Sequence, residues 1–230
     1  GNEIMDKYDL CIYGHMTIDH IFDNFKEKHT LGAMANVWHA LMKLNTNLKI
    51  KLNPISIGEA IILINKKNTQ RVGRGELNIQ TRSPEIVNAS WNHIMYLNQL
   101  PDISFLDKIQ GTISADITAG DIQSIIPYLN KIDYLFISDE DLFMNVNELG
   151  KKVKGHAILH YTSGSFVTNG KKSFEKKTKV VENIDVLGAG DIFAACFINA
   201  CMKSMPIEKA VEYAHQKTTD ILIGKKSNEN

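Results

Sequence analysis

Short apolar runs alternate with segments of helical character from residue 91 to the end of the chain. Strands are predicted at 91–97, 113–117, 134–138 and 157–161, and helices at 122–129 and 142–149. Such runs lack a polar side, which is typical of strands that are buried on both faces of a sheet. The alternation predicts an α/β fold, a three-layer α-β-α sandwich around a mostly parallel, doubly wound sheet.

The first third of the sequence extends this pattern. Residues 8–13 form an apolar run that ends at Gly14, which predicts a buried first strand. From Met34 onward, apolar residues recur at three-four spacing and predict an amphipathic helix that ends near residue 44. Two hairpins are predicted, one around a turn at 66–69 and one around Asn169-Gly170, and two last helices start near Gly188 and Ile207.

Composition limits the domain organisation and the class of partner. At 230 residues and 43% hydrophobic, the chain can bury one sizeable core, and it contains no repeat or linker, so a single domain over 1–230 is expected. Lys plus Arg and Asp plus Glu number 26 each, and this balance argues against nucleic acid or an anionic membrane as the partner. A small molecule is the expected partner.

Three cysteines, Cys11, Cys196 and Cys201, lie in or beside apolar runs. An odd number in such surroundings predicts reduced, buried thiols and a cytoplasmic protein. The longest apolar stretch, 192–202, is about half of the roughly 20 residues that span a bilayer. The residues at the N-terminus lack the apolar region of a signal peptide, so a soluble protein is expected.

The segment with the clearest chemistry is Gly188-Ala189-Gly190-Asp191, which is followed at once by an apolar helical run. A bare backbone at the start of a buried helix points unpaired N–H groups and the positive end of the helix dipole at one spot, which suits an anion. Asp191 lies in the first turn, where its carboxylate can accept a proton from a hydroxyl held beside that anion. The segment predicts a general base next to an anion hole.

The residues of this segment also fit other interpretations. Aspartate in a first turn commonly just caps the helix, and that alternative stays open. The dinucleotide fingerprint Gly-x-Gly-x-x-Gly is excluded because its third glycine is Phe193 here. The sequence contains no Walker-type phosphate loop, and its histidines do not occur at zinc-ligand spacing.

Residues 183–197 resemble the C-terminal signature of the ribokinase-like (pfkB) family of carbohydrate kinases, in which Asp-Thr-x-Gly-Ala-Gly-Asp-x-Phe precedes a small-residue helix. Val186 and Cys196 depart from that pattern. The resemblance implies a ribokinase-like fold and an ATP-dependent phosphotransferase that acts on an alcohol group of a sugar or polyol. It further implies Asp191 as general base, residues 188–190 as anion hole, and Mg²⁺ with ATP as co-substrate.

On the acceptor side, residues 13–19 look like the family's first strand and the turn whose aspartate holds sugar hydroxyls, which makes Asp19 the leading substrate ligand. Residues 31–36 are similar to its Gly-Gly-x-x-x-Asn segment, with Leu31 in place of the first glycine. Gly32 and Asn36 are therefore expected to bind substrate. Met34, Trp38 and Leu41 are expected to belong to the helix's packing face.

On the nucleotide side, Ser138 and Asp141 stand where the family has Asn-x-x-Glu, which positions Mg²⁺ through water and phosphate; a helix cap is an equal alternative for this acidic cluster. Thr162 and Gly164 stand in the family's triphosphate loop, and only the second glycine of its spacing is kept. His215 lies where the family packs a helix near adenine, or is an ordinary surface histidine. Asp116, in the family's mid-sheet strand, either faces the cleft or ends the strand.

The resemblance also implies a small lid from roughly 19–31 and 55–82, which is short in this chain.

Two alternatives to a sugar or polyol kinase stay open. One is a nucleoside kinase of the same family, for which Trp38 and Phe22 are the candidates to stack on a base. The other is a non-catalytic sugar- or nucleotide-binding protein. The apolar run 61–64 in the lid hairpin predicts an edge for homodimerisation by strand pairing.

Overall fold

The computed structural model of the chain describes residues 6–23, 26–30, 32–44, 46–64, 71–141, 144–182 and 184–228. The strands among them are β1 (Lys7–Asp23), β2 (Lys26–Thr30), β3 (Ile50–Ile64), β4 (Arg71–Thr81), β5 (Asn88–Met95), β6 (Thr112–Asp116), β7 (Tyr134–Ser138), β8 (His156–Tyr161), β9 (Gly164–Thr168) and β10 (Ser173–Lys177). The α-helices are α1 (Ala33–Lys43), α2 (Val146–Lys152), α3 (Ala189–Met202) and α4 (Ile207–Asn228). Short 3₁₀ segments occur at Leu97–Gln99, Ser104–Asp107, Ile126–Lys131 and Asp139–Asp141.

The described strands form one sheet in the order β10-β9-β8-β7-β6-β5-β1-β3-β4, and β2 pairs with β1 outside this path. From β3 through β1 and β5 to β8, every neighbouring pair is parallel. Antiparallel pairs lie at the two ends of this order, where β4, β9 and β10 belong to hairpins, and β2 pairs antiparallel with β1. The sequence-based prediction of a mostly parallel, doubly wound sheet is confirmed.

Both faces of the sheet are covered. Leu10 and Ile12 of β1 point to one face, where they pack in a core with α1, α3 and α4. Cys11 and Tyr13 point to the other face, where α2, the 3₁₀ segments and the turns between them cover the sheet. This alternation follows from the two-residue repeat of a strand and confirms the three-layer architecture.

The three thiols lie within these layers. Cys11 and Cys196 are buried, and Cys201 is partly buried. Burial raises the pKa of both Cys196 and Cys201 to about 12, so these thiols stay protonated at neutral pH. They behave as small apolar side chains of the core.

Two predicted helices differ from the structure. Residues 122–129 do not form an α-helix; they form turns that lead into a 3₁₀ segment. Pro127 explains the difference, because it lacks an amide hydrogen and its ring clashes with the preceding turn of a helix. The helix predicted at 142–149 begins at Val146 instead, with Asn145 as its N-cap, and residue 142 lies outside the described residues.

The far halves of β1 and β3, together with β2 and β4, extend past the end of β5, beyond an irregularity in register at Gly14 and His15. The predicted hairpin of β3 and β4 is present, and its turn at 66–69 lies outside the described residues. Since β3 is paired with β1 on one side and β4 on the other, residues 61–64 do not form the free edge that the sequence predicted. Among the described residues, no helix combines the length and apolar character that crossing a bilayer requires.

Candidate active site

A cleft of about 280 Å³ opens at the carboxyl ends of the central parallel strands. Its lining includes the residue that ends or directly follows four adjacent strands: Tyr96 after β5, Asp116 of β6, Ser138 of β7 and Tyr161 of β8. The strand order reverses direction between β1 and β5. Doubly wound sheets bind their ligands at such a switch point, so the topology alone places a ligand site here.

Asp191 lies in the first turn of α3 on the cleft lining and is only 7% exposed. Its carboxylate accepts two hydrogen bonds, one on each oxygen: Asn36 Nδ2 donates to Oδ2 at 3.0 Å, and the Tyr96 hydroxyl donates to Oδ1 at 3.0 Å. The N-cap of α3 is Gly188. The carboxylate is therefore hydrogen-bonded to side chains of other elements and does not serve as the N-cap of its own helix.

The environment of Asp191 opposes ionisation. Burial is the main reason why the pKa of Asp191 rises to about 7, and the negative charge of Asp116 raises it further. The hydrogen bonds from Asn36 and Tyr96 act in the opposite direction, because they stabilise the carboxylate. A carboxyl group that titrates near neutrality suits a general base, which must be ionised at the working pH and still accept a proton.

Gly188 adopts the left-handed conformation, with φ 82°, and α3 starts directly after it. A Cβ at this position would lie 2.7 Å from Asn36 Nδ2, so glycine also permits the close approach that brings α1 to Asp191. The predicted anion hole is modified in one respect. The Ala189 amide donates to the carbonyl of Val186 at 3.0 Å, so the first-turn amides available to an anion come from its neighbours.

Asp19 lies on β1 at the same cleft and is 7% exposed. The hydroxyl of Thr17 donates to Asp19 Oδ1 at 2.5 Å and fixes its orientation. Gly32, at the start of α1, packs on Thr17: a Cβ there would lie 2.6 Å from Thr17 Oγ1. Gly32 thus lies behind Thr17 and is not among the residues that line the cleft, and Leu31 lies outside the described residues.

Asp116 faces the cleft, which decides between the two alternatives for this residue. A buried chain of hydrogen bonds supports it: Trp91 Nε1 donates to Ser114 Oγ at 2.8 Å, Ser114 Oγ lies 2.7 Å from His93 Nδ1, and His93 Nε2 lies 2.9 Å from Asp116 Oδ2. The carboxylate only accepts, so His93 Nε2 donates to it, and the Ser114 hydroxyl, which accepts from Trp91, uses its own hydrogen to donate to Nδ1. The chain holds a negative charge near Asp191.

Four of the five residues predicted to bind nucleotide line the same cleft: Ser138, Asp141, Thr162 and His215. The exception is Gly164, which opens β9 with φ 155° and packs its backbone against Lys176 of β10. The acidic cluster at 138–141 does not cap α2, because the side chain of Asn145 does, accepting from the Asn147 amide at 2.8 Å.

His215 is not a surface histidine; it is 6% exposed, and its Nε2 lies 2.8 Å from Ser165 Oγ. Its ring packs 4.7 Å from Phe193 and 5.9 Å from His160, measured between ring centroids. Burial lowers the pKa of His215 to about 4 and that of His160 to about 3, so both rings are neutral at physiological pH. They form a flat, uncharged aromatic wall.

Sequence patterns did not single out Tyr96, Arg74 and His93 as site residues. Tyr96 was assigned to a predicted strand, although β5 ends one residue earlier and its side chain enters the cleft. Arg74 reaches the cleft from β4 and pairs with Glu76 at 2.6 Å. Neither Trp38 nor Phe22, the proposed stacking residues, belongs to the cleft lining.

Comparison with protein families and solved structures agrees with this geometry. Residues 122–218 match the model of the pfkB family of carbohydrate kinases. None of the curated proteins compared with the chain matches it. The matched region runs from the turns after β6 into α4, and it includes Asp191 and the cleft residues that were predicted to bind nucleotide.

Solved structures show the same fold at low sequence identity. The adenosine kinase from Sinorhizobium meliloti has a TM-score of 0.74 and 13% identity, over 94% of each chain. A pyrophosphate-dependent kinase in the ribokinase family, solved with sulfate, has a TM-score of 0.67 and 13% identity, over 93% of this chain and 95% of that one. A pyrophosphate-dependent kinase of that family, complexed with a pyrophosphate analog and myo-inositol, has a TM-score of 0.66 and 15% identity, over 93% and 94%. The resemblance and the ribokinase-like fold that the sequence predicted are confirmed.

Proposed function

From the match of residues 122–218 to the pfkB family and the ribokinase-like fold, we propose that this chain is a phosphotransferase that moves a phosphoryl group from ATP to an alcohol of a sugar or polyol. The observation that supports it best is the buried carboxylate of Asp191, held by two donors at the start of a glycine-opened helix and facing an open cleft. A base and a set of backbone amides therefore lie together at the carboxyl ends of the strands, where doubly wound sheets bind their ligands.

In the proposed reaction, Asp19 and Asn36 hold the acceptor, with Gly32 supporting Asp19 through Thr17. Asp191 takes the proton of the attacking hydroxyl, and the amides of Gly188, Gly190 and Asp191 face the charge that develops on the transferred group, since the Ala189 amide is bonded to Val186. The protein contributes mainly by positioning the reactants and by electrostatic stabilisation.

The donor is assigned to the side of the cleft formed by Ser138, Asp141, Thr162 and His215, with Gly164 shaping the loop behind them. Beyond His215, the apolar side chains of Val181, Ile184 and Leu222 line the same cleft and suit the face of an adenine. This extension supports ATP over a donor without a base. Because two structurally similar kinases are described as pyrophosphate-dependent, pyrophosphate and ADP belong in the assay.

Mg²⁺ is expected with the nucleotide. Among the described residues, no group of three or more acidic, histidine or cysteine side chains is placed to hold a metal directly. Mg²⁺ needs few protein ligands, because it keeps several waters and binds phosphate oxygens. Asp141 lines the cleft and fits such a water-mediated role; bound there, the ion would neutralise phosphate charge.

The test is a coupled assay of phosphoryl transfer that screens sugars, polyols and nucleosides against ATP, ADP and pyrophosphate. Replacing Asp191 by Asn should lower turnover by about 10² to 10⁴ while ATP affinity, measured by calorimetry, changes little. Asp220→Asn, at an exposed position on α4, is the matched control and should keep full activity. Full turnover in Asp191→Asn would refute the proposed base.

The same screen separates the two rivals. A nucleoside kinase would use nucleosides in preference to sugars and polyols, although the aromatic side chains proposed to stack on a base do not line the cleft. A non-catalytic binding protein would bind ATP or a sugar and show no turnover with any acceptor.

We also propose that the extension of β1 to β4, over roughly 19–31 and 55–82, is a lid. Ile62 and Arg74 of this extension line the cleft, as a lid requires. Its other side exposes Ile57 and Leu63, and Ile18 directly before it is exposed as well; these residues are 45%, 50% and 45% exposed and suit a homodimer contact. A monomer in sedimentation equilibrium at micromolar concentration would refute the dimer and leave the kinase proposal untouched.

A further inference from the structure

Tyr96 occupies a distinctive place in the cleft. It follows the last residue of β5, and its hydroxyl lies 3.0 Å from Asp191 Oδ1. The carboxylate has no hydrogen when ionised, so the phenol donates. Asn36 donates to the other oxygen from α1, which means that two elements far apart in sequence hold the two oxygens of one carboxylate.

Two donors on different oxygens fix the plane of a carboxylate. An ionised carboxylate offers about four lone-pair positions, so two remain for an incoming hydroxyl. A single bond from Asn36 would leave the group free to rotate about the bond to its Cβ. The tyrosine therefore determines which lone pair faces the cleft.

The same bond opposes the forces that would protonate Asp191. Burial and the nearby charge of Asp116 favour the neutral acid, while the bonds from Asn36 and Tyr96 favour the carboxylate. Without the phenol, a base that is already titrating near neutrality would become protonated over more of the physiological range.

We propose that Tyr96 is a positioning residue for the Asp191 base: its hydrogen bond to Oδ1 fixes the orientation of the carboxylate and stabilises its charged form. This inference rests on the proposed function, because it assigns Tyr96 a part in the same reaction. It goes beyond that function by naming a residue that no sequence motif of the chain singles out.

Several other groups could titrate or act on Asp191. Asp116 faces it from β6 and Asp19 from β1, and both act on it through their charge. His160 and His215, from β8 and α4, have pKa values lowered by burial to about 3 and 4, so they do not titrate above pH 5. Other charged side chains on the cleft lining are Arg74, Asp139, Asp141, Lys179 and Lys225. All of these are unchanged in a Tyr96 variant, so a changed profile reports the phenol.

The test compares Tyr96→Phe with wild type in turnover between pH 5 and 9, using the acceptor that the screen identifies. Loss of one hydrogen bond to the carboxylate should move the acidic midpoint of kcat upward by about one pH unit. Turnover should then fall about tenfold at pH 6 and change less than about threefold at pH 9. Tyr213→Phe is the matched control, because the Tyr213 hydroxyl accepts a hydrogen bond from Asn199 Nδ2 at 3.1 Å and this tyrosine does not line the cleft.

An unchanged midpoint, or an equal loss at every pH, would overturn the proposal, because a merely structural hydroxyl would act in this way. Should the phenylalanine variant not fold, Tyr96→Leu removes the same donor with a different shape and must give the same shift. A second measurement works without any acceptor: infrared titration of the Asp191 carboxylate, identified by its absence in Asp191→Asn. If the titration midpoint of that band rises as expected in Tyr96→Phe while the wild type shows no turnover, the proposed function is rejected and the pairing of Tyr96 with Asp191 is kept. If the midpoint does not change, the pairing is rejected.

Discussion

The conformation of Gly188 gives the sharpest quantitative prediction. Alanine at this position must adopt φ 82°, which costs an L-residue about 1–2 kcal/mol, and its Cβ would lie 2.7 Å from Asn36 Nδ2. The amide must move away and lose its bond to Asp191, a charged-group hydrogen bond worth about 1.5–3 kcal/mol. Because the moved amide regains part of this from water, Gly188→Ala should destabilise the protein by about 2–4 kcal/mol.

Gly190 provides the matched control, two residues further along α3. It has no positive φ, and no heavy atom lies within 4 Å of its Cβ position. Alanine there should leave stability unchanged or raise it by up to about 1 kcal/mol, through helix propensity.

The assay for both variants is chemical denaturation monitored by circular dichroism, with the thermal midpoint as a second measure. A loss of about 2–4 kcal/mol in a chain of this size corresponds to roughly 5–15 °C. Equal stability of Gly188→Ala and Gly190→Ala would refute the argument that the left-handed turn and its contact with Asn36 require glycine.

Three further predictions concern buried polar groups. The pKa of Asp191 is raised in the folded state, so the folded protein binds a proton more readily than the unfolded chain between about pH 4 and 7. The free energy of unfolding should therefore fall as the pH rises through that range. Asp191→Asn should remove this part of the pH dependence in urea denaturation. His160 affects the pH dependence of stability in the opposite direction, because its lowered pKa means that stability is lost as the pH falls below about 6.5. His160→Phe should reduce this loss at pH 4 to 5. An unchanged loss of stability in acid would contradict the burial of a neutral ring. Ser114→Ala leaves Trp91 and His93 without the hydroxyl they share, and should cost about 2–4 kcal/mol in the same denaturation assay; a cost below about 1 kcal/mol would show that the network contributes little.

The local sequence was sufficient to predict those strands and helices whose formation depends on a single segment. The apolar runs that became β1, β6, β7 and β8 have few alternatives, because a short run without a polar side is stable only inside a sheet. The start of α3 at Gly188 could likewise be predicted, since a glycine turn followed by a helical run specifies a helix N-terminus. The helix predicted at 122–129 was wrong, because the apolar spacing of this segment is helical but Pro127 prevents an α-helix.

The candidate site was predictable only in part. Asp19, Asn36 and Asp191 were found through motifs, and the structure brings all three to one cleft. Tyr96 and His93 were missed because a tyrosine or a histidine in an apolar run has no distinguishing local pattern. The anion hole was described too simply, since hydrogen bonding of the Ala189 amide to Val186 depends on how the turn closes.

The sequence by itself determined the class of fold, the helix that opens at a glycine turn, and the carboxylate placed in its first turn. Only the tertiary structure decided what that carboxylate can do. Asn36, Tyr96 and Asp116 lie 155, 95 and 75 residues from Asp191 along the chain and reach it because parallel strands end at one edge of the sheet. A pKa depends on burial and on neighbouring charges in space, so this property belongs to the assembled cleft and not to any segment of the sequence.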